Sequence, residues 1–476
     1  MNLNGRKIAI AGMGRSGFAI AKAAQKRGAK VTVYDEHAAD TDERMVAVEQ
    51  LQGLGVQVVT GWHGRLNDES FDILVASPGF KREHPAIRDA LHLGKEVISE
   101  VEFAYRINNA PIVAITGTNG KSTTTVMTWL ILKGAGTDAV LCGNLSGSGY
   151  PELTLTEAAD ASQENQVLVA EVSSYQLEWV TEFRPKVATI TNITPDHLDR
   201  HPSFEDYRDT KFRLFSKMGE GDIVVINEHE PSLHPEVLEP AIPREVALRL
   251  FSSSAEQTYG LEQGQFTENS TRRQDDTLIL SGRGVKISDL PFFGEHNFTN
   301  AMQAWELAAS ILGSAERDRF EGMLKGLMGF VGLQNRMERL GEKAGVLVVN
   351  NSMCTNPAAV IVSSSSLPMR QHILMGGLTK NLDFSNVRDY LESAGHTAYL
   401  FGAESGDPGP EALGNQLGKK WKEFPTLESA FTAAAYDARP GEAILLAPGC
   451  LSAYPFANFR ERGDAFRAIA GEWLKS

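Results

Sequence analysis

A lysine and two hydroxyl residues follow a glycine turn at the end of an apolar run. Residues 111–123 read Pro-Ile-Val-Ala-Ile-Thr-Gly-Thr-Asn-Gly-Lys-Ser-Thr. A strand that enters such a turn leaves free backbone N–H groups at the start of the next helix, where they attract phosphate oxygens. We therefore predict a nucleoside triphosphate site in which Lys121 contacts the terminal phosphates and Ser122 binds Mg²⁺. The residues expected at the phosphates are Gly117, Thr118, Asn119, Gly120, Lys121, Ser122 and Thr123.

Two further groups of polar residues follow strand-like runs. Glu171 comes directly after the apolar run 166–170, and His197 lies in a polar segment after the run 187–191. A carboxylate at the tip of a buried strand beside a phosphate loop is well placed to bind Mg²⁺. A capping or surface role for His197 explains its position equally well at this point.

Asn297 and Asn300 lie three residues apart at the start of an alanine-rich helical segment. Their amides are suited to pairing with the donor and acceptor edge of adenine. Capping of the helix is an alternative that the spacing alone does not exclude.

The elements before this loop predict a βαβ unit. A strand at 7–11, a glycine turn, a helix at 18–27 and a strand at 30–34 end in Asp35. Gly12, Gly14 and Gly17 form a G-x-G-x-x-G pattern, and Asp35 stands where an acid binds ribose in dinucleotide folds. A strand at 71–76 then enters Ser77-Pro78-Gly79, where backbone amides are available to an anion.

Length and charge limit the possible classes of protein. The chain has 476 residues, a formal net charge of −14 and three cysteines that are far apart in sequence. Its length predicts about three domains, and alternating strand-like and amphipathic runs predict the α/β class with parallel sheets. The acidic balance disfavours nucleic acid and anionic membranes as partners. The cysteines indicate a reducing cytoplasm, and we expect neither a signal peptide nor a membrane anchor.

Four motifs together resemble the Mur ligase family. The phosphate loop has Ile115 where the general pattern has a glycine, and this shortened form is found in Mur ligases and the related folylpolyglutamate synthetases. The other three motifs are Glu-Val-Ser-Ser-Tyr-Gln-Leu-Glu at 171–178, Asn-Ile-Thr-Pro-Asp-His-Leu-Asp-Arg-His at 192–201 and Gly-Glu-His-Asn-Phe-Thr-Asn at 294–300. The likeness covers almost the whole chain and is greatest to the branch that adds D-glutamate to UDP-N-acetylmuramoyl-L-alanine.

This resemblance implies an architecture and an activity. It implies a Rossmann-like domain for the UDP substrate (1–105), a central P-loop ATPase-type parallel sheet for ATP (106–332) and a Rossmann-like C-terminal domain for the amino acid (333–476). The implied activity is that of an ATP-dependent, ADP-forming amide ligase of peptidoglycan synthesis. We expect a cytoplasmic monomer whose partners are small-molecule substrates.

The resemblance also assigns residues. Gly14, Ser16, Asp35 and Ser77 would contact the UDP substrate, and Asn144, Glu171 and His197 would line the reaction centre. Glu171 and His197 carry over as Mg²⁺ ligands, and Lys211 as the lysine that the family carbamylates for a second Mg²⁺. Without the family context, Lys211 reads as a surface lysine. In the third domain Lys380, Ser452 and Phe459 would bind glutamate, although a solvent-exposed loop position also explains Lys380.

The third domain departs from the family pattern. The usual His-Arg pair is Asn335-Arg336 here, which leaves Arg336 for a nucleotide phosphate. The usual Asn-Asp-Ser-Lys-Ala-Thr-Asn is Asn-Asn-Ser-Met-Cys-Thr-Asn at 350–356, so Asn351 and Met353 replace an acid and a base. The paired change keeps the segment neutral but removes a charge-assisted contact to ATP.

These departures keep alternatives open. The chain could add L-glutamate or another amino acid, act on a folate-like acceptor, or bind nucleotide without catalysis. The first 105 residues argue against the folate enzymes, which lack a UDP-binding domain. Lys121, Glu171, His197 and Lys211 argue against a protein without catalytic activity.

Overall fold

The computed structural model describes residues 2–67, 70–197, 200–254, 264–265, 270–379, 382–402, 409–418, 421–452 and 455–476. The chain divides into two compact units. The first contains Met1–Ser146, Pro151–Leu290 and His296–Phe330, and the second contains Gly147–Tyr150, Pro291–Glu295 and Val331–Ser476. No described helix is long and apolar enough to cross a membrane.

The first sheet of unit one has five parallel strands in the order β3-β2-β1-β4-β5. This order places β1 beside β4, so the carboxyl ends of β1 and β4 border one crevice. The strands are β1 (Lys7–Ala11), β2 (Lys30–Tyr34), β3 (Gln57–Val59), β4 (Ile73–Ala76) and β5 (Glu96–Ser99). The helices are α1 (Arg15–Lys26), α2 (Asp42–Gly53), α3 (Pro85–His92) and α4 (Glu100–Ile107).

The second sheet has seven parallel strands in the order β12-β11-β10-β9-β6-β8-β7. Its strands are β6 (Ile112–Thr116), β7 (Ala139–Gly143), β8 (Val167–Glu171), β9 (Val187–Ile190), β10 (Ile223–Asn227), β11 (Ala247–Phe251) and β12 (Gly264–Gln265). Its helices are α5 (Lys121–Gly134), α6 (Leu155–Asp160), α7 (Ser174–Leu177), α8 (Phe204–Phe212) and α9 (Pro235–Leu238). Because β6 is fully buried and lies between β8 and β9, the loops after these three strands meet at one edge.

Smaller elements complete unit one. An antiparallel sheet is formed by β13 (Arg272–Gln274), β14 (Thr277–Leu280) and β15 (Arg283–Lys286). The helices α10 (Glu295–Leu312) and α11 (Phe320–Met328) follow it. Short 3-10 turns lie at Pro231–Leu233, Glu239–Ala241, Ile287–Asp289 and Gly313–Glu316.

A buried carboxylate attaches the first sheet to the second. Glu102, in α4, is fully buried and accepts hydrogen bonds from the backbone N–H groups of Thr181, Glu182 and Phe183 at 2.9–3.0 Å. Arg106 donates a further bond of 2.7 Å. One apolar core also runs through both sheets, from Ile8 and Ile10 to Ile112 and Ala114.

Unit two contains a six-stranded sheet in the order β16-β17-β21-β18-β19-β20. Its strands are β16 (Glu338–Lys343), β17 (Val346–Asn350), β18 (Gln371–Met375), β19 (Thr397–Phe401), β20 (Trp421–Phe424) and β21 (Ala443–Leu446). Its helices are α12 (Pro357–Ser365), α13 (Ser385–Ala394), α14 (Gly409–Leu417), α15 (Leu427–Asp437) and α16 (Phe459–Lys475).

The predicted α/β class with parallel sheets is confirmed. In unit two the polar strand β16 precedes β17 and pairs antiparallel with it, so this sheet is not wholly parallel. Helix α1 begins at Arg15 rather than at Phe18. The boundaries after residues 105 and 332 stay predictions.

Candidate active site

The phosphate loop lies between β6 and α5 and is fixed to the end of β9. The backbone N–H of Thr118 donates to the carbonyl oxygen of Asn192 (2.8 Å), and the N–H of Asn119 donates to the Asn192 side-chain oxygen (3.0 Å). The Thr191 hydroxyl donates to the Asn119 carbonyl (2.5 Å). The segment after β9 therefore sets the shape of the loop before any ligand binds.

Two glycines give the loop its course. Gly117 has φ +147°, and a Cβ there would lie 1.9 Å from the Thr191 hydroxyl oxygen. Gly120 caps α5 in the left-handed region with φ +81°, and no side chain caps the helix at this residue. Because glycine has no side chain to cap the helix, the start of α5 is suited to binding a phosphate.

Lys121 is the first residue of α5. Its ε-amine donates to the carbonyl oxygen of Thr118 at 2.8 Å, so the side chain folds back over the loop. An ammonium group in this position is available to phosphate oxygens that enter the loop. Ser122 and Thr123 follow it in the first turn of the helix.

Glu171 is the last residue of β8 and is 2 % exposed. Its Oε1 accepts a hydrogen bond of 3.1 Å from the Asn144 amide, which follows β7. Its Oε2 is buried and has no hydrogen-bond partner among the described residues. A buried carboxylate oxygen without a donor fits a hard cation such as Mg²⁺. The structure brings Glu171 and Asn144 together, and their roles at a reaction centre stay a prediction.

His197 lies after β9 and is held from one side. Its Nδ1 is 2.8 Å from the Tyr175 hydroxyl, and its φ of +53° is in the left-handed region. The side chain is 45 % exposed, so its Nε2 side is open to solvent and to Asp196 at 3.5 Å. An oriented imidazole with one accessible nitrogen is suited to ligation. The next two residues of the motif, Leu198 and Asp199, lie outside the described residues.

Lys211 is buried although it lies in a helix rich in charged residues. The residue is 1 % exposed, and its ε-amine donates to the carbonyl oxygen of Gly117 at 2.8 Å. The amine also lies 4.6 Å from the centre of the Tyr207 ring. Lys211 is therefore not a surface lysine but part of the wall of the phosphate loop.

The surroundings of Lys211 favour a neutral amine. Burial, together with the positive charge of Lys121, holds the pKa of Lys211 well below its ordinary value, and Asp196 and Glu171 offset only part of this. An unprotonated amine is the form that reacts with CO₂ to give a carbamate. The burial of Lys211 thus supplies a physical reason for the modification that the sequence resemblance implies.

Asn300 contacts the phosphate helix. Its side-chain oxygen accepts from the Thr124 hydroxyl at 3.3 Å, and a Cβ on Gly120 would lie 2.5 Å from that oxygen. This asparagine is 7 % exposed, and Asn297 lies one turn earlier in α10. Asn300 thus supports the start of α5, and adenine recognition by the two residues stays a prediction.

The first sheet carries a cavity of about 780 Å³ at the ends of β1, β2 and β4. It contains the predicted substrate residues Gly14, Ser16, Asp35 and Ser77, together with Lys81, which the sequence did not single out. The Ser77 hydroxyl is buried and has no partner among the described residues.

Backbone N–H groups stabilise the ionised form of Asp35 in this cavity. Burial opposes its ionisation, but hydrogen bonds from the N–H groups of Met13 (2.7 Å) and His37 (2.9 Å) outweigh it, so the pKa of Asp35 is lowered. Its carboxylate is a fixed acceptor for hydroxyl groups.

In unit two, the segment after β18 pairs with the segment after β21. The N–H groups of Leu378 and Leu451 each donate to the other residue's carbonyl at 3.0 Å. Ser452 is 7 % exposed and follows directly, and the Phe459 carbonyl at the start of α16 accepts from the Ser352 hydroxyl at 2.7 Å. Lys380 lies outside the described residues.

Arg462 holds these segments together from within the core, and sequence reasoning missed it. The residue is fully buried and donates to Ser352 O (2.7 Å), Cys450 O (3.2 Å) and Gly376 O (3.3 Å). Burial lowers the pKa of Arg462 to about 10. A single arginine in an amphipathic helix carries no sequence signal that separates it from a surface residue.

Two residues that depart from the family pattern, Asn351 and Met353, have partners within unit two. The Asn351 amide donates to the Ser363 hydroxyl (2.6 Å) and accepts from the Met337 N–H (3.2 Å). The Arg336 guanidinium lies 3.2 Å from the Met353 sulfur. Asn351 therefore has a structural role in unit two, in which its amide acts both as a donor and as an acceptor.

The fold and the site are those of an α/β enzyme that uses a nucleoside triphosphate. At one edge, a parallel sheet carries a glycine phosphate loop, a buried carboxylate and a buried lysine. The chain belongs to the Mur ligase family. The family model described as Mur ligase middle domain matches residues 115–308, and the model described as Mur ligase MurD-like, N-terminal domain matches residues 6–99.

A curated relative is similar over nearly its whole length. The protein named UDP-N-acetylmuramoylalanine--D-glutamate ligase from Thermoanaerobacter sp. (strain X514) is 33 % identical over 478 residues, which cover 99 % of both chains. The family places this chain among ATP-dependent amide ligases.

Solved structures share the fold. MurF from Acinetobacter baumannii aligns with a TM-score of 0.58 at 16 % identity and covers 99 % of this chain and 94 % of that one. MurF ligase from Thermotoga maritima, in complex with ADP, aligns with a TM-score of 0.51 at 18 % identity and covers 86 % of this chain and 97 % of that one. These likenesses confirm the three-domain α/β architecture.

Proposed function

We propose that this chain joins D-glutamate to the alanyl carboxylate of UDP-N-acetylmuramoyl-L-alanine at the expense of ATP, in peptidoglycan precursor synthesis. The observation that carries the proposal is the contact of the buried Lys211 amine with Gly117 of the phosphate loop. Burying a lysine costs free energy, and this cost, together with its position against a phosphate loop, favours a chemical role for the amine. The names of the similar relatives supply the substrate.

The reaction has two steps. The alanyl carboxylate attacks the γ-phosphorus of ATP, which gives an acyl phosphate and ADP. The glutamate amine then attacks the acyl carbon, loses a proton and expels phosphate as the amide bond forms. Lys121, at the phosphate loop, offsets the charge that develops on the transferred group.

Mg²⁺ is the metal that we propose for this site. Ser122, Glu171 and His197 would supply Mg²⁺ ligands, and a carbamylated Lys211 would supply an oxygen ligand for a second ion. The unpartnered Glu171 Oε2 and the open side of His197 fit this assignment. When bound, the ions would reduce the repulsion between the carboxylate and the phosphate oxygens.

The substrates are assigned to different parts of the chain. We assign the UDP moiety to Gly14, Ser16, Asp35 and Ser77, and glutamate to Lys380, Ser452 and Phe459. We assign the nucleotide to residues 117–123 with Asn297, Asn300 and Arg336. Domains at 1–105, 106–332 and 333–476, in a cytoplasmic monomer, are part of the same proposal.

One assay tests the function. Purified protein is incubated with UDP-N-acetylmuramoyl-L-alanine, ATP, Mg²⁺ and each amino acid in turn, and ADP release is followed. We expect turnover with D-glutamate and none without the acceptor. Turnover with L-glutamate or another amino acid, but not with D-glutamate, would show that the proposed amino-acid specificity is wrong. No turnover with any amino acid would favour a nucleotide-binding protein without activity, which the Asn351 and Met353 replacements motivate.

A further inference from the structure

We propose that Arg200 is a positioning residue that ties the orientation of His197 to the wall of the UDP-substrate cavity. This inference rests on the proposed function for its kinetic consequences. It concerns the pocket loop, defined as residues 77–84 between β4 and α3, which lines the 780 Å³ cavity.

Arg200 contacts the pocket loop from the side of the second sheet. One terminal nitrogen donates to the carbonyl oxygen of Pro78 at 2.8 Å, and the other donates to that of Phe80 at 2.7 Å. The two carbonyls flank Gly79, so the guanidinium fixes the peptide groups on both sides of this residue. A planar group with a fixed fork of donors sets orientation as well as distance.

The carboxylate of Glu178 also binds the guanidinium of Arg200. Arg200 donates to both carboxylate oxygens of Glu178, at 3.0 and 2.7 Å. The side chains of Arg200 and Glu178 are 6 % and 1 % exposed. A buried, bidentate ion pair leaves the arginine a single orientation, unlike an exposed pair.

From this fixed position Arg200 reaches the predicted metal ligand through one ring. Its guanidinium carbon lies 4.5 Å from the centre of the Tyr175 ring. The Tyr175 hydroxyl is 2.8 Å from Nδ1 of His197. The path from the pocket loop to His197 thus has three contacts, each within the first unit.

A second arginine ties the loop to Lys211. Arg82, in the pocket loop, donates to Asp206 at 2.7 Å and to the Thr210 hydroxyl at 2.9 Å. Thr210 directly precedes Lys211 in α8. The cavity wall therefore contacts the segments of both His197 and Lys211, which makes its shape a determinant of the reaction centre.

The kinetic test uses Arg200→Lys, which keeps the charge but loses the fork. We expect kcat to fall about tenfold or more, since a small misplacement of a reacting group is costly. The KM for UDP-N-acetylmuramoyl-L-alanine should rise, and the KM for ATP should stay within about twofold if the phosphate loop is intact. Tyr175→Phe should lower kcat without changing the KM for the UDP substrate. The double variant should be no slower than Arg200→Lys, since both changes break the same path.

A matched control is Arg184→Met. Arg184 pairs with Asp222 near the amino end of β9, so its loss should leave the kinetic constants unchanged. Two outcomes would overturn the proposal. One is that the Arg200 and Arg184 variants lose the same thermal stability while kcat stays unchanged. The other is that Arg200→Lys and Tyr175→Phe lower kcat additively.

A second measurement does not depend on turnover. The imidazole resonances of His197 in ¹⁵N-histidine-labelled protein, assigned with His197→Gln, report the hydrogen bond between Tyr175 and Nδ1 of His197. Arg200→Lys should shift them in the same direction as Tyr175→Phe, and Arg184→Met should not. If the His197 resonances do not shift in Arg200→Lys, the proposal is overturned, whether or not the wild-type chain is active as a ligase. If they shift as expected but the wild-type chain is inactive, only the proposed function is overturned.

Discussion

The ε-amine of Lys211 donates a hydrogen bond to the carbonyl oxygen of Gly117, 2.8 Å away, although 94 residues separate them in sequence. The contact joins helix α8 to the phosphate loop. A chemical change at the amine therefore acts directly on the loop that would hold the triphosphate.

We expect Lys211→Ala to reduce ligase activity by about 100-fold or more, because a group at the reaction centre is lost. Short carboxylates such as acetate should restore part of it by replacing a carbamate oxygen. The exposed Lys217→Ala serves as the control and should keep full activity. Addition of ¹³C-bicarbonate should give a carbamate NMR signal in the wild type and in the control only. A wild-type signal that persists in Lys211→Ala would contradict the assignment.

Gly117→Ala should weaken ATP binding and destabilise unit one. The added Cβ would lie 1.9 Å from the Thr191 hydroxyl, at a φ of +147°. Backbone strain alone costs about 1–3 kcal/mol, and the loop must also move away from Thr191. Thermal unfolding and the KM for ATP measure the two effects. Gly53→Ala is the comparison, because nothing lies within 4 Å of the added carbon; an equally mild result for both would be inconsistent with the prediction.

The replacements at 351 and 353 should depend on each other. Asn351→Asp alone loses the donor to Ser363 and buries a charge, with an expected cost of about 1–3 kcal/mol. Met353→Lys alone places a second cation beside Arg336. The double variant should lose less unfolding free energy than the two single variants lose together, and its KM for ATP should be lower than that of the wild type. Urea unfolding and steady-state kinetics measure the two effects. An unchanged KM for ATP would exclude these positions as the cause of weak nucleotide binding.

Arg462→Met should loosen the segments after β17, β18 and β21. It leaves the carbonyls of Ser352, Gly376 and Cys450 without this donor in a dry site, at a cost of about 1–3 kcal/mol for an unpaired group. We expect a lower unfolding midpoint and a raised KM for glutamate. Arg388→Met, at an exposed pair with Asp389, should change neither. A variant with normal stability and a normal glutamate KM would show that the arginine is dispensable.

Asp35 should make stability depend on pH in the acid range. Because its folded-state pKa is lowered, it contributes stability above the ordinary aspartate pKa, and this contribution is lost as the pH falls through the folded-state pKa. Asp35→Asn should be less stable than wild type at pH 7, and the difference should shrink in acid. Urea unfolding at both pH values measures it. The KM for the UDP substrate should also rise, since a charged acceptor is lost. A stability difference that is constant with pH would argue against an ionised Asp35.

The positions of functional groups in the fold could be predicted from the sequence wherever the group lies at the end of a buried strand. The phosphate loop after β6, Glu171 at the end of β8 and Asp35 after β2 were placed correctly because strand and turn patterns are local. For Lys211 the residues alone favoured a surface position, and only the family resemblance indicated a role at the reaction centre. The structure shows that the residue is buried.

Residues that act through long-range packing could not be predicted in this way. Arg200 and Arg462 lie in polar or amphipathic segments where solvent exposure is the ordinary expectation. Each donates to a backbone carbonyl more than 100 residues away, of Pro78 and of Ser352 respectively. Strand β16 was missed because its residues are mostly polar or half-buried, so no alternating apolar pattern marks it.

The carboxylate of Glu102 has a consequence for how the protein folds and how it can be divided. Its amide donors come from residues 181–183, beyond the predicted boundary at residue 105. A fragment that stops there would lack these donors, so the side chain of Glu102 would lose the partners that satisfy it in the whole chain. The hydrogen bonds of Glu102 to residues 181–183 therefore form only after the chain has been synthesised past residue 183, so α4 gains these contacts later than its position in the sequence suggests.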